Sequence, residues 1–161
     1  MNKLLSTKYS QNIAIITMIA IFFIVDRLLK LLALSMGAEN YIPIAGDLFL
    51  FHFTPNPYIS FSLPLSGWLL YTLIFSIVAL LIAYIIYLIR KKRGQKYEVA
   101  LLTIILFGAI SNIIDRCLYG YVIDYLELKY FTVFNLADVM ISGGAIILIL
   151  MNFKNPKKYE S

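Results

Sequence analysis

Long apolar runs separated by short polar clusters recur along the whole chain, and their lengths predict helices that cross a bilayer. A helical span needs about 20 predominantly apolar residues. The first candidate starts near Asn12, is uncharged to Val25, and continues through Asp26-Arg27-Leu28-Leu29-Lys30 into Leu34. Trp68 to Ile89 contains no charge at all. Val99 to Ile114 forms a third run, and Leu136 to Phe153 a fourth with one acid, Asp138, near its start. The pattern predicts one integral membrane domain over residues 1–161, with spans at about 12–34, 68–89, 98–115 and 136–153. The first apolar stretch runs directly into a charged helical end with no small-residue cleavage motif, so it is expected to stay attached.

Between the first two runs the pattern changes. Tyr41, Ile42, Leu48, Phe49, Leu50, Phe51 and Phe53 are strand formers, broken by Pro43, Gly46, Pro55, Pro57 and Pro64. The expectation is an all-α membrane protein of four transmembrane helices, with a small extracytoplasmic β-sheet between helices 1 and 2. The second polar segment, 115–135, is read only as a short connection holding most of the outer acids.

Charge gives these spans a direction. Lys3 and Lys8 precede the first run, Arg90 to Lys96 carry five basic residues between the second and third, and Lys154, Lys157 and Lys158 follow the fourth. Ten of the fourteen Lys and Arg thus fall on one side, while Arg27, Lys30, Arg116 and Lys129 lie at or beyond the other helix ends. Basic residues accumulate on the cytoplasmic side, so both termini are predicted inside and residues 36–67 and 115–135 outside, in a cytoplasmic membrane.

Composition narrows the chemistry. Hydrophobic residues make up 61% of the chain and charged residues 14%, far from the proportions of a soluble domain. The net charge of +5 sits beside apolar runs rather than on a separate basic face, which argues for membrane lipids and against nucleic acid. One cysteine, Cys117, and one histidine, His52, leave no thiolate cluster or histidine zinc site, so no metal is expected. Any catalysis must rest on carboxylates, amides or hydroxyls.

Ionisable and amide side chains near a membrane span are costly and are functional candidates by default. Asp26, Lys30, Asn112, Asp115, Arg116, Asp124, Asn135 and Asp138 all fall near the outer boundary, and Asn56 can reach the same level. Structural roles account for several. Asp26 and Lys30 are spaced for a helical pair, Asp115 and Arg116 read as an interfacial ion pair, and Asn135 stands where an N-cap would. Ser142-Gly143-Gly144 suits close helix packing, and His52 has no assigned role. Asp124 and Asp138 have no basic residue at helical spacing. If they meet at a poorly hydrated boundary they share one proton, the arrangement of an aspartyl protease; spacing alone leaves that meeting open.

The chain resembles the lipoprotein signal peptidases, the signal peptidase II family. Their Asp-x-x-Thr-Lys motif is similar to Asp26-Arg27-Leu28-Leu29-Lys30, and their Asn-x-Gly-x-Ala/Ser-Phe motif to Asn56-Pro57-Tyr58-Ile59-Ser60-Phe61. Gly-Asn-x-x-Asp-Arg is similar to Ser111-Asn112-Ile113-Ile114-Asp115-Arg116. Gly-x-Val-x-Asp-Phe matches Gly120-Tyr121-Val122-Ile123-Asp124-Tyr125, and Phe-Asn-x-Ala-Asp matches Phe134-Asn135-Leu136-Ala137-Asp138. The resemblance implies a membrane aspartyl endopeptidase that removes signal peptides from diacylglyceryl-modified bacterial prolipoproteins, cutting before the lipidated cysteine. It further implies Asp124 and Asp138 as the catalytic pair. Asn56, Asn112, Asp115, Arg116, Asn135 and Ala137 would line or brace the site, Asp26 and Lys30 would support it, and no cofactor is implied. The expected partners are a lipid-modified prolipoprotein and membrane lipids, and the expected state is a monomer.

Four features depart from the family pattern. Leu29 replaces Thr, Tyr58 replaces Gly, Ser111 replaces Gly, and the 14-residue step from Asp124 to Asp138 shortens the loop between them. Two other readings compete: a catalytically impaired member that binds lipoproteins or signal peptides, and a small proton or ion transporter. A transporter would string its acids along a path at mid-membrane depth, whereas these gather at one boundary.

Overall fold

A computed structural model describes residues 2–57, 67–91 and 96–154, with side chains for 13–57, 68–91 and 97–153. Tyr58 to Phe61 of the second motif, Pro64, and Lys3, Lys8, Lys92, Arg93, Lys96, Lys154, Lys157 and Lys158 lie outside the described side chains. In chain order the elements are α1 (Asn2–Met36), β1 (Tyr41–Ala45), β2 (Phe49–Asn56), α2 (Gly67–Lys91), α3 (Lys96–Tyr119), β3 (Val122–Leu128), β4 (Thr132–Phe134) and α4 (Leu136–Lys154).

Helices α1 and α3 carry polar groups in their buried stripes. On α1 the buried stripe is Ile19, Asp26, Lys30 and Ala33, with two charges at its centre, while Ile21, Phe22, Ile24, Leu28 and Leu31 are exposed. On α3 the buried face runs through Leu102, Ser111, Asn112 and Asp115. Both stripes keep helical spacing, so the polar groups meet one another and the apolar groups face outward. That is the pattern of helices solvated by lipid. Three helical stretches, Trp68–Lys91, Tyr97–Tyr119 and Leu136–Phe153, are long and apolar enough to cross a membrane. The helix α1 has the length, and its Asp26, Arg27 and Lys30 interrupt the apolar run.

The sheet differs from expectation. Strands come from both polar segments, one between α1 and α2 and the other between α3 and α4, pairing antiparallel in the order β1-β2-β3-β4. The second segment, expected to be a plain connection, thus forms a hairpin. Val122-Ile123-Asp124-Tyr125 is buried on both faces, and a strand buried on both sides lacks the polar–apolar alternation that marks one in sequence. Asn56 pairs with Val122 and Thr54 with Asp124, which brings the end of β2 beside the acid of β3. Gly120, at φ 83°, closes α3 by donating its N–H to the Arg116 carbonyl at 3.0 Å. A C-cap in the left-handed region favours glycine, and it turns the chain straight into β3.

The sheet packs on α1 through Ala33, Phe51, Ile123 and Tyr125. Helices α2 and α3 meet at Ile85, Leu88 and Leu102. The approach of α3 to α4 depends on two glycines. A Cβ on Gly108 would lie 2.7 Å from the Ala137 carbonyl oxygen, and one on Gly144 would lie 2.7 Å from Ile105 Cγ1. Gly143, next to Gly144, faces open space. Gly108→Ala should therefore force α4 outward and destabilise the protein by about 1–3 kcal/mol. Gly143→Ala should be neutral or slightly stabilising, since alanine is the better helix residue. Thermal unfolding of the two variants in one detergent checks this, and equal melting temperatures would contradict the packing argument.

Candidate active site

The polar residues that the sequence placed at one level converge between α1, α3, β3 and the start of α4. Asp26, Lys30, Ser111, Asp115 and Asn135 are fully buried, Asp124 is 1% exposed and Asn112 is 7% exposed. Desolvation on this scale is tolerated only when every charge has partners.

The first part of the cluster is a charge-balanced core. Lys30 Nζ lies 3.2 Å from Asp26 Oδ2 and 2.7 Å from Asp115 Oδ2, and donates to Asn112 Oδ1 at 2.7 Å. The expected pair of Asp26 with Lys30 is therefore present, within a larger set. Asp115 is a correction. Rather than depending on its neighbour Arg116, it is held by Arg27 and Lys30, both from α1, and accepts the Ile123 N–H at 3.2 Å. Adjacent residues on a helix point about 100° apart, so Asp115 and Arg116 cannot share one face. Arg27 also donates to the Ser111 carbonyl at 3.2 Å.

The second part anchors the first turn of α4, where orphan N–H groups need acceptors. Asn135 is the N-cap: its Oδ1 accepts the Asp138 N–H at 2.9 Å, and Asp138 Oδ2 accepts the Asn135 N–H at 3.3 Å. This reciprocal pair is a capping box closed by Asp138. Asp26, from α1, accepts the Ala137 N–H at 3.1 Å, and the Tyr125 hydroxyl accepts the Leu136 N–H at 3.0 Å. That hydroxyl donates in turn to Asp26 Oδ1 at 2.9 Å, and Ser111 Oγ donates to Asp26 Oδ2 at 2.6 Å. Burial, then the Asp26 carboxylate, push the Tyr125 hydroxyl above the ordinary phenol range, so it remains a donor.

Asp124 and Asp138 meet across Asn135. Asn135 Nδ2 donates to Asp124 Oδ1 at 2.6 Å while its backbone N–H goes to Asp138 Oδ2. The outer oxygens have matching partners: Asn56 Nδ2 donates to Asp124 Oδ2 at 2.8 Å, and Asn112 Nδ2 donates to Asp138 Oδ1 at 2.8 Å. Asp26 and Asp115 are thus held by cations, whereas among the described residues Asp124 and Asp138 are held by neutral amide donors and form no ion pair. Burial first, and the Asp138 charge second, raise the Asp124 pKa from 3.8 to about 7, against the lowering effect of Asn56, Asn135 and Lys30. A carboxyl that titrates near neutrality can both give and take a proton.

Every site residue singled out in the sequence lies in or against this cluster. Arg27, Ser111 and Tyr125 were missed as members. Arg27 adjoins Asp26 and Ser111 precedes Asn112, so motif adjacency could have pointed to both. Tyr125 looks like an ordinary strand aromatic, and only the sheet's seat against α1 puts its hydroxyl on Asp26.

The sequence profile of the family Signal peptidase (SPase) II matches residues 18–154. The chain is 33% identical to a protein of Caldicellulosiruptor bescii named lipoprotein signal peptidase, over 82% of this chain and 85% of that one. It is 35% identical to the Clostridium tetani protein of the same name, over 86% and 92% of the two chains, and 31% identical to that of Pseudomonas aeruginosa strain UCBPP-PA14, over 86% and 87%. The fold is similar to two solved structures, each described as a bacterial membrane enzyme studied by the in meso method. One superposes with a TM-score of 0.77 at 22% identity over 94% of this chain and 93% of that one. The other gives 0.72 at 23% identity over 91% and 94%.

Proposed function

The chain belongs to the signal peptidase II family of aspartic-type peptidases, and on that premise we propose that it removes signal peptides from lipid-modified prolipoproteins with Asp124 and Asp138 as its catalytic pair. The observation that carries the assignment is the contrast among the four acids of the cluster, of which Asp26, Asp115 and Asp124 are buried and Asp138 is half-buried. Asp26 and Asp115 are neutralised by Lys30 and Arg27, and only Asp124 and Asp138 are free to exchange a proton.

The chemistry follows from one proton shared between two carboxyls. The ionised member takes a proton from water as that water attacks the scissile carbonyl, and the protonated member donates to the carbonyl oxygen. The tetrahedral intermediate collapses when the first acid passes its proton to the leaving amine and the second recovers its own. Asn56, Asn112 and Asn135 fix both carboxyls without supplying the charge that would keep them permanently ionised. Arg116 and the capped turn of α4 brace the pair. No cofactor takes part.

The substrate is a diacylglyceryl prolipoprotein whose signal peptide enters sideways between helices, so the protein works as a monomer among membrane lipids. In this reading α1 is the fourth span. Its charged seam faces α3 and α4, with Asp26 and Lys30 fully buried and Arg27 turned toward Asp115, so these residues do not prevent crossing. Both termini are then cytoplasmic and the site lies near the outer face of the cytoplasmic membrane.

The purified protein should cleave a diacylglyceryl prolipoprotein in detergent, read as a mobility shift on a gel. Because the Asp124 pKa is raised to about 7, the protonated member persists to near neutrality and is lost above it. The rate should therefore fall as pH rises through about 7, with an apparent pKa belonging to the pair. No cleavage at any pH, or a rate still rising at pH 9, would refute the dyad reading.

A further inference from the structure

A single buried hydroxyl lies where the two acid-bearing elements join. Tyr125 follows Asp124 directly on β3, and its hydroxyl accepts the N–H of Leu136, two residues before Asp138 on α4. The same hydroxyl donates to Asp26 Oδ1, the atom that accepts the Ala137 N–H. Strand, helix start and α1 are thus tied at one point, with Tyr125 fully buried and its ring against Phe51 at 5.4 Å between centroids. Ser111 Oγ donates to the other oxygen of the same carboxylate, Asp26 Oδ2, at 2.6 Å.

We infer that Tyr125 is a positioning residue whose hydroxyl sets the separation of Asp124 and Asp138, acting through the first turn of α4. The inference rests on the proposed dyad. Asp124 is also tied to Asn135, but Asn135 is the cap of that same turn. Tyr125 holds the turn against the strand from its other side. Without the hydroxyl, the Leu136 N–H has no acceptor on β3, and α4 can shift against the strand while its cap remains intact. A wider gap weakens repulsion between the two carboxylates, so the shared proton is held less tightly. The other charges facing the pair are Asp26, Arg27 and Lys30 of α1 and Asp115 and Arg116 of α3, and Tyr71 of α2 hydrogen-bonds the Arg116 carbonyl at 3.3 Å. All of them stay in place when a single hydroxyl is removed.

Tyr125→Phe keeps the ring and its packing. Measured on a diacylglyceryl prolipoprotein in detergent, it should lose about tenfold in kcat, the scale of one hydrogen bond, with KM within twofold. The upper apparent pKa of the kcat profile should fall by half a unit or more. A purely structural role would lower the folded fraction and leave KM and the pH profile unchanged. Leu136→Pro removes the N–H partner at a helix position that tolerates proline and should reproduce both changes. Wild-type kcat and pH profile in folded Tyr125→Phe overturn the inference, as does an unfolded Tyr125→Phe beside a folded, fully active Leu136→Pro. Asp124→Asn and Asp138→Asn run in parallel separate the layers. If these remain active the dyad reading fails; if they are dead while Tyr125→Phe matches wild type, only the positioning role fails.

Discussion

Asp124→Asn and Asp138→Asn should each reduce prolipoprotein cleavage by on the order of 10³-fold or more while leaving the protein folded. An amide has nearly the shape of a carboxyl but cannot pass a proton to the leaving amine, and positioned acid–base groups contribute about 10²–10⁴-fold each. Because the acids share one proton they act as a unit, and the double variant should be no worse than either single one. Substrate should still bind, since helix and lipid contacts lie away from the two carboxyls. Folding should survive because, among the described residues, each acid is held by amides and forms no ion pair: Asn56, Asn112 and Asn135 lose a charge-assisted acceptor but keep an amide oxygen in its place. Asp115→Asn should behave in the opposite way, lowering the yield of folded protein because Arg27 and Lys30 lose their partner. Turnover persisting in Asp124→Asn beside a folded but inactive Asp115→Asn would move the dyad to Asp115 and Asp138.

Replacing Lys30 should do the greatest damage to the fold. Two buried acids, Asp26 and Asp115, lie against one fully buried ammonium, and Arg27 supplies the second positive charge. Lys30→Met fills a similar volume but leaves one negative charge uncompensated. Breaking a buried pair this way typically costs about 3–5 kcal/mol, a large fraction of the about 5–15 kcal/mol that holds a protein together. The variant should accumulate poorly and melt well below wild type in detergent. Adding Asp26→Asn restores neutrality, because Arg27 and Asp115 remain a matched pair. The new amide oxygen can still accept the Ala137 N–H and the Tyr125 hydroxyl, and its NH₂ can donate to Ser111, since a hydroxyl both gives and accepts. The double variant should therefore recover much of the lost melting temperature. A wild-type melting curve for Lys30→Met, or no recovery in the double variant, would show that charge balance is not what holds this core.

The acids and amides of the site are legible in the sequence because they are out of place in an apolar chain. Lipid offers no solvation to Asp26, Lys30, Asn112 or Asp138, so their presence in apolar helices marks them, and hydrophobic run length marks the helices. Close packing at Ser142-Gly143-Gly144 is equally readable in kind, though only Gly144 of that pair of glycines meets a neighbouring helix.

Partnership is not legible. Asp115 could pair with Arg116 next to it or with residues more than 80 positions away. Only the docking of α1 on α3 chose Arg27 and Lys30, because helix rotation decides which side chains face inward. The β3–β4 hairpin is hidden for a related reason: Val122 to Tyr125 is covered on both faces, so its burial depends on β2 and α1 and leaves no alternation in the sequence. The role of Tyr125 is hidden most completely. What the sequence determines by itself are the quantities that each residue's own solvation controls: span lengths, the level of the polar groups, and which residue types are available for chemistry. Which acid keeps a cation and which is left to amides depends on contacts between distant segments, and only the tertiary structure decides it.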